Sequence, residues 1–467
     1  MVFSSMVFLF AFLPLTLFAF YVLPRPLRNP FLLIANLVFY GWGEPVYILL
    51  MLFTTAVNFI FGALIGRYRQ TRPRAARLCL LGAVLISVGS LGYFKYAGFL
   101  TRIYNSIPFL PDVPVPQIAL PIGISFYTFQ TMSYSIDVYR NDAPVQRSLV
   151  NFGVYVTLFP QLIAGPIVRY KDVAEQIDGM RAPASQFALG VRQFVIGLSK
   201  KVLLANQMGL LWDTLRPGAA TNGTLAAWVG VFAYTLQIYF DFSGYSDMAL
   251  GLGNMLGFRF MENFNYPYIS KSITEFWRRW HISLSTWFRD YIYIPLGGNR
   301  VGAARMYLNL LAVWFLTGLW HGASTNFILW GLYYFVILVI EKRFLLKRLG
   351  RLPGVVQHVY ALLLVVIGWV LFYFDGGMAD CLGYLGAMFG GSAGVISADA
   401  RNVVLRYLPL MLLACVAATP MASNLWKRIR FERLSACAEI ALCMLGLMLC
   451  TAVLASQSYN PFLYFKF

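Results

Sequence analysis

The sequence predicts an all-α protein that crosses a membrane many times. Hydrophobic residues make up 59% of the 467 residues and charged residues only 12%, and the mean hydropathy is +0.66. A soluble chain of this length could not bury so much apolar surface. Apolar runs of spanning or near-spanning length also recur along the whole chain, which is typical of a polytopic membrane protein.

Thirteen apolar runs define the predicted elements. They lie at about 6–23, 31–43, 46–66, 78–100, 119–136, 148–168, 190–212, 225–240, 304–320, 324–341, 355–374, 403–421 and 435–455. Proline and glycine interrupt several central runs, so we expect some re-entrant or half-helices there. The first run has no basic segment before it and no small-residue cleavage site, and is expected to be a retained span. No linker divides the chain, so residues 1–467 are predicted to form a single transmembrane domain.

The net charge of +18 comes from basic residues in short loops between apolar runs. That distribution is typical of positive-inside topology and argues against nucleic-acid binding. Assigning the basic loops 67–77, 342–351 and 427–433 to the cytoplasm predicts an extracytoplasmic N-terminus, loop 375–402 and tail 456–467. The run 304–320 then points outward.

The six cysteines show neither paired spacing nor metal-site spacing, so the sequence predicts no disulfide framework and no metal. It also lacks the GxSxG, HExxH and P-loop motifs of soluble enzymes.

An unusual cluster of charge lies in "TEFWRRWHISLSTWFRDYIYIPLGGNR", residues 274–300. Charge near a bilayer is costly and requires a reason. Helical spacing places Trp277, His281, Leu284 and Phe288 on one face. The pattern predicts an amphipathic helix near the cytoplasmic interface, followed by a turn.

Arginines in this segment have two interpretations. Glu275 can pair with Arg278 or Arg279, three and four residues further on. The guanidinium groups of Arg278 and Arg279 could hold the phosphates of a nucleotide-bearing donor. They could equally be interfacial anchors, and their spacing does not distinguish the two roles.

Two carboxylates, Asp241 and Asp247, lie in the apolar stretch "DFSGYSDMALG", residues 241–251. A carboxylate pair could bind a metal, but no histidine or cysteine lies nearby in the sequence. Orientation of His281 or of the arginines through hydrogen bonds is favoured over metal binding.

The strongest candidate for a catalytic group is His321, in "TGLWHGAS". Gly318 and Gly322 are expected to leave room around the imidazole, and Trp320 to form a wall that helps to position the donor. A histidine at the end of a membrane span suits general-base catalysis near neutral pH. The alternative is a helix-end histidine bonded to a neighbouring carbonyl. His358 is expected to be interfacial.

Several long motifs carry a resemblance to a known family: "LPIGISFYTFQTMSYSIDVYR", "FPQLIAGPIVRY", "YFDFSGYSDMALGLG", "WRRWHIS", "GLWHGAS" and the terminal "PFLYFKF". The chain resembles the membrane-bound O-acyltransferase superfamily, in the branch of alginate O-acetyltransferases, to which the teichoic-acid D-alanylation proteins are related. The resemblance implies a ring of about 11 to 13 spanning, re-entrant and interfacial helices around a central funnel. It also implies that His321 is the essential histidine and that His281 is a second functional one.

The resemblance implies an activity as well. We expect a bacterial inner-membrane O-acetyltransferase that takes an acetyl group from a cytoplasmic thioester, either acetyl-CoA or an acyl carrier, without a cofactor. An extracytoplasmic partner acetyltransferase would then modify a polysaccharide such as alginate or cellulose. Transfer of D-alanine or another acyl group is the alternative within this class. A non-enzymatic transporter or scaffold is the alternative outside it, and the lack of internal repeats argues against a transporter.

The tail "PFLYFKF", residues 461–467, is too aromatic for a free extension in water. It is predicted to fold back into the outer funnel, where Tyr464 would accept the acetyl group as a relay, with His321 as its base. A similar aromatic motif in a small partner of the D-alanylation proteins makes this relay plausible by resemblance. The alternative is an aromatic anchor at the membrane interface.

Overall fold

The structure is a computed structural model that describes residues 1–177, 182–375, 377–426, 428, 432–457, 459–460 and 462–463. The chain is 76% helical, and the described residues contain no strand. The all-α prediction is confirmed. Tyr464, the predicted relay, lies outside the described residues.

The chain forms two compact units. The N-terminal unit comprises Met1–Phe194 and Ser246–Met261, and the C-terminal unit comprises Val195–Tyr245 and Glu262–Phe467. The single domain over residues 1–467 stays a prediction.

The N-terminal unit contains the first eight α-helices and most of the ninth. They are α1 Leu13–Val22, α2 Arg25–Gly41, α3 Ile48–Tyr68, α4 Pro73–Asn105, α5 Ile124–Arg140, α6 Leu149–Thr157, α7 Phe159–Leu162, α8 Tyr170–Ile177 and α9 Ala184–Ser199. A π-helical turn, Phe8–Phe12, precedes α1. The run predicted at 148–168 contains two short helices, α6 and α7, in agreement with the expectation of half-helices.

The C-terminal unit contains the remaining α-helices. They are α10 Asn206–Leu215, α11 Ala219–Asn222, α12 Thr224–Leu256, α13 Ile273–Arg279, α14 Ile282–Phe288, α15 Ala303–His321, α16 Thr325–Ile340, α17 Leu346–Leu349, α18 Gly354–Tyr373, α19 Met378–Met388, α20 Ala398–Ala417, α21 Met421–Trp426 and α22 Glu432–Ser456. The end of α12 belongs to the N-terminal unit. A π-helical segment, Lys200–Ala205, joins α9 to α10.

Six helices in the described part of the chain are long and apolar enough to cross a membrane. They are α3, α4, α12, α18, α20 and the Cys437–Ser456 part of α22. Other predicted runs form shorter helices. The 16 residues of α16, for example, span about 24 Å, which is less than the hydrocarbon thickness of about 30 Å.

A buried carboxylate fixes the start of α13. Glu341, fully buried just after the end of α16, accepts the N–H of Ile273 at 2.7 Å and the N–H of Thr274 at 2.8 Å. Tyr360 donates its hydroxyl to the same carboxylate at 3.1 Å. These bonds satisfy N–H groups that a helix leaves unpaired in its first turn and place negative charge at the positive end of α13.

Candidate active site

The charged segment 274–300 does not form one helix, so that prediction is wrong. α13 ends at Arg279 and α14 begins at Ile282. Between them, His281 has a left-handed backbone, with φ +46° and ψ +55°. A residue other than glycine rarely adopts this conformation, so it requires support from the surrounding structure.

The support comes from the extended segment before α13. The N–H of Ile282 donates to the carbonyl of Asn263 at 3.0 Å, and the N–H of Asn265 donates to the carbonyl of Arg279 at 2.9 Å. These bonds replace the helical bonds that a continuous helix would make. They depend on residues more than ten positions away, which helical periodicity cannot reveal.

The side chain of Asn263 fixes the tautomer of His281. Its Oδ1 accepts the N–H of Ser283 at 3.2 Å, the hydroxyl of Ser283 at 2.9 Å and Nδ1 of His281 at 3.1 Å. A backbone N–H can only donate, so the oxygen and not the nitrogen of the amide must face these groups. Nδ1 of His281 therefore carries the proton, and Nε2 presents a lone pair.

The environment keeps His281 neutral. Its side chain lies outside the candidate spanning helices and is 1% exposed, and burial lowers its pKa to about 3. Nε2 has no hydrogen-bond partner among the residues that the structure describes. His281 thus presents a buried nitrogen with unused acceptor capacity.

Only one of the two predicted arginine pairings is present. Arg279 forms an ion pair with Glu275 at 2.9 Å and also donates to the carbonyl of Asn265 at 3.1 Å. Arg278 is exposed. Arg279 is therefore engaged in holding the segment together, whereas the side chain of Arg278 is accessible.

His321 is the last residue of α15 and is buried among aromatic rings. Its ring centroid lies 5.0 Å from those of Trp320 and Trp330 and 5.1 Å from that of Phe372. The ring of Trp320 is also 5.8 Å from that of His281. Both histidines therefore lie beside one indole, whereas the role of Trp320 in positioning the donor stays a prediction.

The glycines around His321 do not leave room for the imidazole, contrary to the prediction. A Cβ on Gly318 would lie 2.4 Å from the carbonyl oxygen of Phe327, and a Cβ on Gly322 would lie 2.1 Å from the ring of Phe327. Gly318 instead allows α15 and α16 to approach at backbone distance, as small residues do between membrane helices, and Gly322 accommodates the ring of Phe327. The close contact fixes the end of α15, and with it His321.

His321 opens onto a mostly apolar cavity in the C-terminal unit. Aromatic and aliphatic side chains form most of its wall together with one carboxylate, and the lining residues are Ile238, Asp241, Phe242, Trp280, His321, Trp330, Trp369, Phe372, Phe462 and Leu463. An apolar cavity with few polar groups is typical of a binding or catalytic site. The presence of Phe462 and Leu463 agrees with the predicted return of the tail.

Asp241 does not orient His281, so that part of the prediction is wrong. His281 uses Nδ1 for Asn263, and Nε2 has no partner in the described chain. Asp241 instead pairs with Lys201 at 2.5 Å and accepts the N–H of Leu463 at 2.8 Å. Asp247 lies six positions further along α12, about 120° around the helix from Asp241, and belongs to the N-terminal unit. Its functional role stays a prediction.

The described residues contain no group of three or more histidine, cysteine, aspartate or glutamate side chains that could hold a metal. Two residues of the site were missed from the sequence. Lys201 was visible as a lysine inside the apolar run 190–212, whereas Asn263 gave no local signal.

Comparison with known proteins adds to this geometry. The model of the membrane-bound O-acyltransferase family matches residues 122–376, which include both histidines. The probable alginate O-acetylase AlgI of Pseudomonas putida is 42% identical over 100% of both chains. The protein of the same name from Pseudomonas aeruginosa is 49% identical over 80% of this chain and 72% of its own. The peptidoglycan O-acetyltransferase of Helicobacter pylori is 33% identical over 80% of this chain and 77% of its own.

Proposed function

Because this chain belongs to the membrane-bound O-acyltransferase family, we propose that it transfers an acetyl group from a cytoplasmic thioester for the O-acetylation of an extracellular polysaccharide. The chain is a membrane O-acyltransferase. The alginate O-acetylases that resemble it over most of their length support acetyl as the group and a polysaccharide as the final acceptor. The observation that carries the proposal is His321, buried at the wall of an apolar cavity.

The proposed reaction uses His321 as a general base. The imidazole takes the proton from an acceptor hydroxyl while the hydroxyl oxygen attacks the carbonyl carbon of the thioester. A carbon–oxygen bond forms, the carbon–sulfur bond breaks, and the thiolate leaves with the proton that His321 received. The acetyl group is then an ester on the acceptor, and the base is regenerated.

We infer that the two substrates reach the cavity from opposite faces. The donor, acetyl-CoA or an acyl carrier, is charged and would be costly to move through hydrocarbon. The basic loops around Arg72 and Arg348 indicate which face of the protein is cytoplasmic, and the donor is proposed to bind from that face. The proposed location is therefore the bacterial inner membrane, with both termini outside, and exposed Arg278 is a candidate for contact with donor phosphates. An extracytoplasmic acetyltransferase is the proposed recipient.

Membrane vesicles of opposite orientation test the donor and its side together. Inside-out vesicles that contain the protein should acquire label from external radiolabelled acetyl-CoA, because the cytoplasmic face is then accessible to a donor that cannot cross the bilayer. Right-side-out vesicles should not. A marker protein of known topology verifies which face of each preparation is outward, and maleimide labelling of Arg72→Cys in a variant without the native cysteines then reports which face carries that loop. Equal labelling of both preparations, or labelling only of right-side-out vesicles, would contradict the proposal.

Tyr464 is proposed as the first acetyl acceptor. The two residues before it in the sequence, Phe462 and Leu463, line the cavity with His321, which supports a reaction at this position. A phenol has a pKa of about 10 and loses its proton far more readily than an alcohol. Its ester is correspondingly activated, so that transfer to a sugar or serine hydroxyl is favourable.

Replacement of Tyr464 by phenylalanine keeps the ring and removes only the hydroxyl. We expect this Tyr464→Phe variant to lose polysaccharide acetylation, measured as ester-linked acetate released from the polymer by mild base. Tyr93→Phe, which removes one hydroxyl from an exposed tyrosine elsewhere in the chain, is the matched control. Polymer acetylation at the level of the control would show that the tail is an anchor and not a relay.

A further inference from the structure

We propose that the buried Lys201–Asp241 pair is a docking site for the chain's own C-terminal segment, and that it positions this segment as a wall of the His321 cavity. The C-terminal segment is defined here as Tyr459, Asn460, Phe462 and Leu463. The positioning role rests on the function proposed above, whereas the docking itself does not.

The pair is buried far more deeply than ion pairs ordinarily are. The side chains of Lys201 and Asp241 are each 3% exposed, and the two groups are 2.5 Å apart. Removing two charges from water is costly, and a buried pair contributes less to stability than an apolar pair of similar size would. A buried pair between helices of a membrane protein therefore indicates a role other than stability.

The geometry of Asp241 indicates what that role is. One carboxylate oxygen faces Lys201, and the other accepts the backbone N–H of Leu463 at 2.8 Å. Lys201 also lies 5.9 Å from the ring centroid of Phe462, within the range of a cation–π contact. The two charged groups thus each contact the C-terminal segment as well as one another.

Further contacts hold Tyr459 and Asn460, which precede Phe462 and Leu463 in the chain. The hydroxyl of Tyr459 donates to Asp213 at 2.6 Å. Asn206 donates to the side-chain oxygen of Asn460 at 3.2 Å. Asp213 and Asn206 both belong to α10, which directly follows the π-helical turn that carries Lys201. One continuous stretch of chain therefore binds the C-terminal segment along its length.

Packing of Phe462 fixes the position of the end of the C-terminal segment. The ring of Phe462 lies 4.8 Å from that of Tyr245, and Phe462 is buried. Phe462 and Leu463 line the same cavity as His321. Asp241 therefore recognises the backbone of the segment, while Phe462 occupies an aromatic site beside it. This combination fixes the position of Phe462 and Leu463 at the cavity wall.

Two sets of variants separate docking from folding. Leu463→Pro removes the N–H that Asp241 accepts, and Leu463→Ala retains it as the matched control. The double variant Lys201→Met with Asp241→Leu removes both charges together, so that neither is left buried and unpaired. Asp380→Asn, a change of an exposed carboxylate, is the control for the removal of a carboxylate elsewhere in the chain. Monodisperse elution in detergent verifies folding.

Digestion of the full chain by carboxypeptidase Y, followed by intact mass measurement, reports docking without any substrate. In the wild type, Leu463→Ala and Asp380→Asn we expect digestion to stop before residue 463 is removed. In the double variant it should continue past residue 463, at a rate roughly tenfold higher, because cleavage follows the population of the undocked segment. Leu463→Pro, whose proline itself slows the peptidase, is compared with Leu463→Ala in the vesicle assay only. Equal protection in all variants would overturn the docking site.

The same variants in the vesicle assay test positioning. We expect the undocked variants to lose about tenfold or more in acetyl transfer, as is usual when a group that places reactants is lost. Undocking with unchanged transfer would overturn the positioning role. Docking that is confirmed in a protein without acetyl transfer in any variant would instead count against the proposed function alone.

Discussion

Replacing His321 with alanine is expected to lower the rate of acetyl transfer by about two to four orders of magnitude, the usual cost of losing a general base. His321 is buried at the cavity wall, with aromatic rings at about 5 Å. The close contact of α15 with α16 at Gly318 is made by backbone, so the substitution leaves it intact. The initial rate of label transfer from acetyl-CoA in inside-out vesicles measures the effect.

His358→Ala is the matched control for His321→Ala. The Nδ1 atom of His358 lies 3.1 Å from the carbonyl oxygen of Ser270, and His358 does not line the cavity. Its loss should change acetyl transfer by less than about twofold, since one hydrogen bond at a partly exposed site contributes little. A His321→Ala protein that elutes as a single species and transfers acetyl at the control rate would remove His321 from the mechanism.

Replacing His281 with alanine is expected to have the second largest effect, and changes at Asn263 should show how His281 acts. His281→Ala removes both the ring beside Trp320 and its Nε2 lone pair. Asn263→Ala retains the ring of His281 but no longer fixes its tautomer. It should lower the rate of acetyl transfer about ten- to a hundredfold, as is common when a group that orients a histidine is removed. Ser283→Ala is the control, because it removes one donor to Asn263 and leaves the bond to His281 intact.

The pH dependence of Asn263→Asp distinguishes orientation from packing. In the wild type burial holds the pKa of His281 at about 3, so His281 is neutral and contributes no inflection between about pH 5 and 8. A carboxylate beside Nδ1 raises the pKa of the imidazole, because an opposite charge favours the protonated form. Below that raised pKa, Nε2 becomes a donor and stops accepting. Acetyl transfer by Asn263→Asp should therefore show one more inflection towards acid pH than the wild type, in which only the protonation of the base His321 lowers the rate. A profile identical in shape to that of the wild type would reduce His281 to a packing role.

The parts of the fold that could be predicted from the sequence are those fixed by local apolar composition. The run predicted at 355–374 is α18, Gly354–Tyr373, and the run at 324–341 is α16, Thr325–Ile340. Each is set by many apolar side chains in succession. The charge cluster in residues 274–300 and the histidine in "TGLWHGAS" could also be identified from the sequence, because ionisable groups in an apolar chain indicate a function.

The parts that could not be predicted depend on one distant partner. Helical spacing over α13 and α14 continues through His281, but the chain breaks there and its backbone bonds to Asn263 and Asn265 instead. The partner of Asp241 is Lys201, forty positions earlier in the chain, and nothing in "DFSGYSDMALG" identifies it. A single polar contact between distant residues leaves no periodic pattern, so the arrangement of the site required the structure.

The bonds that Glu341 makes to α13 require α16 to have a fixed number of residues. α16 begins four residues after His321 and ends at Ile340, directly before Glu341. Glu341 holds the first turn of α13, and α13 leads to His281. Each residue of α16 adds 1.5 Å and turns 100°, so one residue more or fewer would carry the carboxylate off the end of α13. The length of α16 therefore sets the position of His281 relative to His321. Its number of residues is as much a part of the site as the identity of any side chain.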